Sequence, residues 1–218
     1  MIIRATPEPR HPGGILILSM NICPIIIKHV LLVPAAAAVF WFCGGLLTHT
    51  EVLLRKVPSW VRLQEQQGSA SFRTGTGTET VAYCLKNGSF SLLDSAGQKL
   101  YQSDADWLVA DCFFCDIDHN HTEDVVLHVW KGGSFGQYQP FWREQDDKSA
   151  YSEHLFIYDW NLSRNDRLQP KWMSSAMPVS GESVSIDQDG VFCITAPDGS
   201  RTFWKWEGWG LVLDENKK

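Results

Sequence analysis

Hydrophobic and polar residues alternate in short runs over most of the chain after residue 57. Runs rich in β-branched and aromatic residues are separated by turns rich in glycine, asparagine and aspartate, a pattern typical of antiparallel sheets. It predicts strands at 80–85, 89–93, 99–102, 107–115, 125–130, 155–160, 171–172, 183–186, 191–195 and 202–206. Because helical periodicity is almost absent from this part, we predict an all-β domain over residues 57–218.

The spacing of the strands limits how many sheets the domain holds. The sequence Lys86-Asn87-Gly88 marks a tight hairpin, and a four-stranded propeller blade takes roughly 40–50 residues. We therefore expect a propeller-like or irregular β-sheet domain of about three antiparallel units. Since three blades do not ordinarily close a ring, three alternatives stay open: an irregular arrangement, an edge covered by the loop 131–153, or completion by oligomerisation.

A different pattern precedes the β domain. Residues 30–47 carry no charge, and a segment of this length lies at the lower edge of a transmembrane helix and above a typical signal-peptide core. We expect one N-terminal hydrophobic helix within residues 20–56, retained as a signal anchor or removed as a signal peptide, which contacts the membrane through residues 25–47. Residues 1–19 are expected to form a disordered tail, with Met20 as an alternative start.

Charge narrows the range of partners. The chain has a formal net charge of −6, and the acidic excess lies in the predicted β domain. Nucleic-acid binding depends on cationic contacts to phosphate, so nucleic acid is not an expected partner. Lysine and arginine flank the hydrophobic segment on both sides, and the positive-inside rule taken alone leans slightly towards a cytoplasmic C-terminus.

The strongest chemical signal is an acidic loop between two predicted strands. Asp116, Asp118, Asn120 and Asp124 place oxygen side chains at positions 1, 3, 5 and 9 of the loop, and Thr122 offers a backbone carbonyl. Alternating oxygen ligands in a tight loop suit a hard cation such as Ca²⁺. The loop lacks the glutamate that an EF-hand carries at position 12. We therefore predict a calcium site between two strands, with a solvated acidic turn without metal as the alternative.

This Asp-x-Asp-x-Asn-x-x-x-Asp loop and the hydrophobic strand after it resemble the repeat of the FG-GAP/VCBS family of surface propellers. The likeness is specific over residues 107–130, and the wider chain is similar to bacterial exported proteins that carry these repeats. The resemblance implies a propeller fold, a calcium-binding loop and recognition of partners instead of catalysis. His121 departs from the glycine that the family prefers at the sixth loop position, where the backbone often needs a positive φ.

The tryptophans and cysteines each allow two interpretations. Nine of the ten tryptophans lie after residue 57, where packing is their expected use and a sugar-binding platform is the alternative. If the domain is exported, Cys84 is expected to form a disulfide with Cys112 or Cys193. Buried free thiols are the other alternative.

Histidines and further carboxylates lie in or near the same region. His119, His121 and His128 would need a third fixed nitrogen or sulfur ligand to bind a transition metal tightly, so exposed loop histidines are the simpler interpretation. Asp146, Asp147 or Glu153 beside Trp142 could serve a hydrolase acting on extracellular glycan.

The pattern as a whole predicts a calcium-assisted binding or adhesion module without catalytic activity, tethered to a membrane or exported. Its expected partner is a protein or a polysaccharide. Because calcium is plentiful outside cells, and because of the family resemblance, we expect the β domain on the extracytoplasmic side. The alternatives are the glycan hydrolase and a purely structural role for the ion.

Overall fold

The computed structural model describes residues 48–74, 77–136, 141, 146–161 and 167–217. The described residues belong to one compact unit, and residues 1–47 lie outside the described part of the chain. The described part contains one helix, α1 (His49–Leu54), and twelve strands. The strands are β1 (Gln66–Thr74), β2 (Gly77–Lys86), β3 (Ser89–Leu93), β4 (Lys99–Gln102), β5 (Leu108–Cys115), β6 (Asp124–Gly132), β7 (Tyr151–Trp160), β8 (Leu168–Met173), β9 (Ser183–Ile186), β10 (Phe192–Thr195), β11 (Arg201–Glu207) and β12 (Gly210–Leu213).

The strands form three four-stranded antiparallel sheets in which neighbours along the chain are neighbours in space. The strand orders are β1-β2-β3-β4, β5-β6-β7-β8 and β12-β11-β10-β9. We call these the first, middle and third sheets. The all-β class and the three antiparallel units that the strand spacing predicts are confirmed.

The expectations for the N-terminal region fall on residues that the structure does not describe. They are the disordered tail over 1–19, the hydrophobic helix predicted within 20–56, of which residues 20–47 are not described, and the membrane contact through 25–47. Within the described part of the chain, no helix is long and apolar enough to cross a membrane.

Helix α1 is short and begins with a capping box. The Thr48 hydroxyl accepts from the backbone N–H of Glu51, and the Glu51 carboxylate accepts from the backbone N–H of Thr48. Leu53 is buried in a small cluster that includes Leu108 and Trp130 of the middle sheet. The helix therefore packs on the β sheets, although it lies before the predicted domain boundary at residue 57.

The middle sheet is buried on both faces, and its sequence shows why. Strand β6 reads Asp-Val-Val-Leu-His-Val-Trp, an almost continuous hydrophobic run, and all seven of these residues are buried. Leu127 and Val129 join the core against the first sheet, whereas Val126 joins the core against the third sheet. A strand that is covered on both sides cannot show the polar alternation of a half-exposed strand.

The first and third sheets are covered on one face only. Phe72, Phe90 and Leu92 of the first sheet pack against the middle sheet, while the opposite face carries exposed Ser71 and Thr80, whose hydroxyls hydrogen bond at 3.0 Å. In the third sheet the burial of β9 alternates in the same way. The three sheets are therefore held by two hydrophobic cores, one on each side of the middle sheet.

The structure adds two strands that the hydrophobic pattern misses, β1 and β12. Strand β1 reads Gln-Gln-Gly-Ser-Ala-Ser-Phe-Arg-Thr. Only two of its side chains are buried, those of Ala70 and Phe72. It pairs along its whole length with β2, and the Tyr83 ring lies over Gly68, its cross-strand neighbour. Cross-strand pairing, not the pattern of its own residues, makes this segment a strand.

Candidate metal centre

The acidic loop connects β5 to β6 between the paired residues Cys115 and Asp124. The Asp116 carboxylate accepts from the backbone N–H of Asn120 at 2.9 Å and from that of His121 at 2.8 Å. His121 has a φ of 69°, so the sixth loop position does take the left-handed conformation for which glycine is favoured. Asp116 thus holds the loop in its turn.

Two other predicted ligands also bond within the loop. The Asn120 side-chain oxygen accepts from the backbone N–H of Thr122 at 2.8 Å and from the Thr122 hydroxyl. Asn120 is exposed and Thr122 is half-buried. This bonding is the ordinary behaviour of asparagine in a turn, and it tightens the second half of the loop.

The three aspartates of the loop bring their carboxylates together. Oxygen atoms of Asp116, Asp118 and Asp124 lie within 4.8 Å of one another. Asp124 is fully buried, and one of its oxygens accepts from the backbone N–H of Ile117 at 3.2 Å. The Oδ1 atom of Asp118 is buried and has no hydrogen-bond partner. Carboxylate oxygens are the ligands that Ca²⁺ prefers, so the donor set fits the predicted ion.

A lysine from a distant strand also enters this cluster. The Nζ atom of Lys171, in β8, lies 2.7 Å from Asp118 Oδ2, 2.9 Å from Asp124 Oδ1 and 3.1 Å from Asp159 Oδ1. Its side chain is only 9% exposed, and Nζ lies 5.5 Å from the centre of the Trp206 ring in the third sheet. One ammonium therefore faces several carboxylates, and the cluster keeps an excess of negative charge.

Burial and charge set the protonation of this cluster. Burial raises the pKa of Asp124, the bonds from Lys171 oppose that shift, and the adjacent Asp159 carboxyl adds to it. Burial alone would lower the pKa of Lys171, but its bonds to Asp118, Asp124 and Asp159 outweigh that and raise it. Lys171 is thus a cation held by the cluster at neutral pH.

The neighbouring thiol does not join the site. Burial, together with the charges of Asp124 and Asp116, raises the pKa of Cys115 to about 12, so the sulfur stays protonated at neutral pH, and only a thiolate is a good metal ligand. Cys84, Cys112, Cys115 and Cys193 are free thiols. Of the two interpretations of the cysteines, a disulfide or free thiols, the structure agrees with free thiols.

The three histidines do not form a transition-metal site with the aspartates. His119 and His121 are exposed on the loop. His128 is instead buried in β6, where its Nε2 atom lies 2.8 Å from Glu153 Oε1. Within the described residues, the candidate metal-binding group contains aspartates alone.

The carboxylates of the hydrolase alternative are used for local structure. Asp146 accepts from the backbone N–H and the hydroxyl of Ser134 at 2.6 and 2.9 Å. Slight burial acts to raise its pKa, but these bonds and one from Phe135 lower it overall. Bonds from Ser149 likewise lower the pKa of Asp147. A general acid needs a raised pKa, whereas the pKa shifts of both aspartates are downward.

The remaining members of that alternative are Glu153 and Trp142. Glu153 is 1% exposed, and its second oxygen accepts from the backbone N–H of Gly181 at 2.6 Å. Together with His128 it ties the middle sheet to the segment that leads into the third sheet. Trp142 lies outside the described residues.

Most described tryptophans serve packing. The Trp160 ring stacks on Phe72 at 4.5 Å, and Trp60 meets Trp130 edge to face at 5.6 Å. Trp209, at 85% exposure, is the exception within the described part. These contacts favour packing over a continuous sugar-binding platform of tryptophans.

Comparison of the chain with known protein families, curated proteins and solved structures finds no match.

Two residues of the site escape sequence reasoning, Lys171 and Asp159. Both lie on strands of the middle sheet, 35 or more residues beyond the acidic loop, where their neighbours are hydrophobic. The available signal is a charged residue inside each of two hydrophobic strands, because a buried charge needs a partner of opposite sign. That signal does not say which partner it is.

Proposed function

We propose that this protein is a non-catalytic binding module whose β5–β6 loop takes calcium. The single observation that carries the proposal is the convergence of the Asp116, Asp118 and Asp124 carboxylates within 4.8 Å, with a buried Asp118 oxygen that has no donor. In this proposal Asp118 and Asp124 hold the ion, and Asp116 keeps the loop in the conformation that presents them.

The ion supplies electrostatic and structural support, and this chain's residues do the rest. Asp124 begins β6, while Lys171 and Asp159 belong to β8 and β7. A cation at the loop therefore ties the first hairpin of the middle sheet to its last two strands. The Lys171 ammonium binds the same carboxylate oxygens, so an entering cation has to share these oxygens with the ammonium or displace it.

The proposed setting is a propeller-like domain, tethered to a membrane or exported, on the extracytoplasmic side. Support comes from the three consecutive four-stranded meanders, which have the connectivity of propeller blades, and from the resemblance of the loop to the FG-GAP/VCBS repeat. Extracellular modules bind calcium at millimolar to submillimolar levels, which suits a site weakened by an internal lysine.

Calcium-dependent stability tests the proposal. The full chain is unfolded by heat with Ca²⁺, with Mg²⁺ and with a chelator, and Ca²⁺ is expected to raise the midpoint because a ligand that binds the folded state stabilises it. Asp118→Asn should abolish this increase, whereas Asp189→Asn, which removes the same charge from an exposed turn of the third sheet, should keep it. Equal midpoints for the unmodified chain with calcium and with chelator would overturn the proposal.

A further inference from the structure

A groove of about 530 Å³ lies between the last strands of the first and middle sheets. Strands β4 and β8 line it, together with Asp104 and Trp107, which follow β4, and Tyr158 of β7. Grooves of this size hold small ligands in proteins. The groove is separate from the acidic loop, but Pro170 in its lining is the chain neighbour of Lys171.

Three aromatic residues are part of the lining: Tyr101 is half-buried, whereas Trp107 and Tyr158 are buried. Tyr101 and Tyr158 meet edge to face with their centres 5.6 Å apart, and the Tyr101 hydroxyl donates to the Tyr158 oxygen at 3.1 Å. Burial raises the pKa of Tyr101 to about 12 and also raises the pKa of Tyr158, so both phenols keep their protons at neutral pH. Since one bond uses one hydrogen, the pair retains a second hydroxyl hydrogen and several lone pairs.

The charges in the lining cancel. Lys99 contributes one positive charge and Asp104 one negative charge, and the amides of Gln102 and Gln169 add polar groups without charge. The chain as a whole is acidic, with a net charge of −6. A locally neutral groove that has both donors and acceptors is complementary to an uncharged ligand with many hydroxyl groups.

The strands beside the groove are poor templates for an extended peptide. Strand β4 has only four residues, and β8 contains Pro170, which has no N–H to donate. Short edges and prolines are the usual means by which proteins prevent strand addition at a sheet edge. A peptide that adds a strand is therefore the less suitable occupant.

We propose that this groove binds a neutral oligosaccharide, with the half-buried ring of Tyr101 against the apolar face of a sugar and with the Tyr101 oxygen and the Asp104 carboxylate accepting from its hydroxyls. This inference rests on the proposed function, because it names the ligand class and the place at which the module binds it. Aromatic rings beside hydrogen-bonding groups match a sugar, which has apolar C–H faces and a polar rim.

Calorimetric titration of the full chain with maltohexaose, cellohexaose and chitohexaose tests the inference. At least one of the three should bind. Tyr101→Phe, which removes one hydroxyl and keeps the ring, should weaken that binding about three- to tenfold, the usual effect of one hydrogen bond. Asp104→Asn should also weaken it. The matched controls Tyr83→Phe and Asp106→Asn, neither of which lines the groove, should bind like the unmodified chain.

The inference is overturned if none of the three oligosaccharides binds, or if Tyr101→Phe and Asp104→Asn bind as tightly as their controls. Unfolding midpoints of all four variants show that a loss of binding is not a loss of fold. A repeat of the titration in chelator separates the two proposals. Oligosaccharide binding that is unchanged without calcium would support the proposal for the groove and contradict the proposal that calcium assists binding. Hydrolysis of a bound oligosaccharide would contradict the proposal that the module is non-catalytic.

Discussion

At the scale of single residues, Lys171 determines how far the charge of the acidic loop is neutralised. Its ammonium lies between 2.7 and 3.1 Å from oxygens of Asp118, Asp124 and Asp159. A buried carboxylate needs a cation or several donors, and here the chain provides one cation itself. The loop is therefore partly neutralised before any metal arrives, so calcium binding should be weak.

Removing that ammonium should expose its role. We expect Lys171→Met to lower the free energy of unfolding in chelator by about 3 kcal/mol, since it leaves the buried Asp124 carboxylate without its cation. The same variant should gain more stability from calcium than the unmodified chain does. Urea unfolding with and without calcium measures both effects.

The control is Lys205→Met, which removes a lysine from an exposed pair with Glu207 and should change stability little. If the two variants lose equal stability in chelator and respond equally to calcium, then Lys171 does not act as the cation of the cluster.

A second residue-scale prediction concerns His154, which is fully buried in β7. Burial lowers its pKa, although its Nδ1 atom lies 3.0 Å from the carbonyl of Ser174. Because the neutral form is favoured in the folded state, its contribution to stability is present above the unfolded pKa of about 6.5. That contribution is lost as the pH falls towards the lowered folded pKa.

We expect the unmodified chain to lose more stability than His154→Gln between about pH 7.5 and about pH 5.5. Urea unfolding in chelator at both pH values measures this. The raised pKa of Asp124 favours the folded state at lower pH in both proteins, so it cancels in the comparison. Equal pH dependence in the two proteins would show that His154 does not keep a lowered pKa.

At the scale of elements, aspartate-led turns recur through the domain. Asp94 accepts from the backbone N–H groups of Ala96 and Gln98, and Asp187 accepts from those of Asp189 and Val191. Asp116 does the same for its own loop. Stabilising the turn therefore explains the presence of Asp116 without a metal. It does not explain Asp118 and Asp124, whose carboxylates need a cation, either the Lys171 ammonium or a metal ion.

The Asn87-Gly88 hairpin provides a prediction for a turn. Gly88 has a φ of 72°, and an added Cβ would lie 2.9 Å from a methyl carbon of buried Leu108. Gly97 has a φ of 79° with open space around it. Gly97→Ala should therefore lower the free energy of unfolding by about 1 kcal/mol, from backbone strain alone. Gly88→Ala should lower it by roughly 1–3 kcal/mol more, because the added Cβ crowds Leu108. Urea unfolding compares the two; equal losses would mean that Leu108 moves aside freely.

The elements differ in how well the sequence predicts them. Strands β3, β4 and β9 have the predicted bounds, because glycine and aspartate turns enclose short β-branched or apolar runs. Strand β1 was not predicted, since it is polar and becomes a strand by pairing with β2. The position of Lys171 was also beyond prediction, because 47 residues separate it from Asp124 and only the folded middle sheet brings the two together.

At the scale of the whole molecule, the middle sheet organises the domain. It shares one core with the first sheet and another with the third, and it carries both the acidic loop and one wall of the oligosaccharide groove. Lys171 and Pro170 are adjacent in β8, so the proposed ion site and the proposed ligand site meet on one strand. The propeller-like arrangement remains a proposal that the three meanders support.

The central claim is that the β5–β6 loop takes calcium, and calorimetric titration of Ca²⁺ into the chelator-treated full chain tests it most directly. We predict one calcium ion per chain with a dissociation constant of about 10⁻⁴–10⁻³ M, tighter binding to Lys171→Met, and none to Asp118→Asn. The absence of binding to both the unmodified chain and Lys171→Met at millimolar calcium would contradict the account.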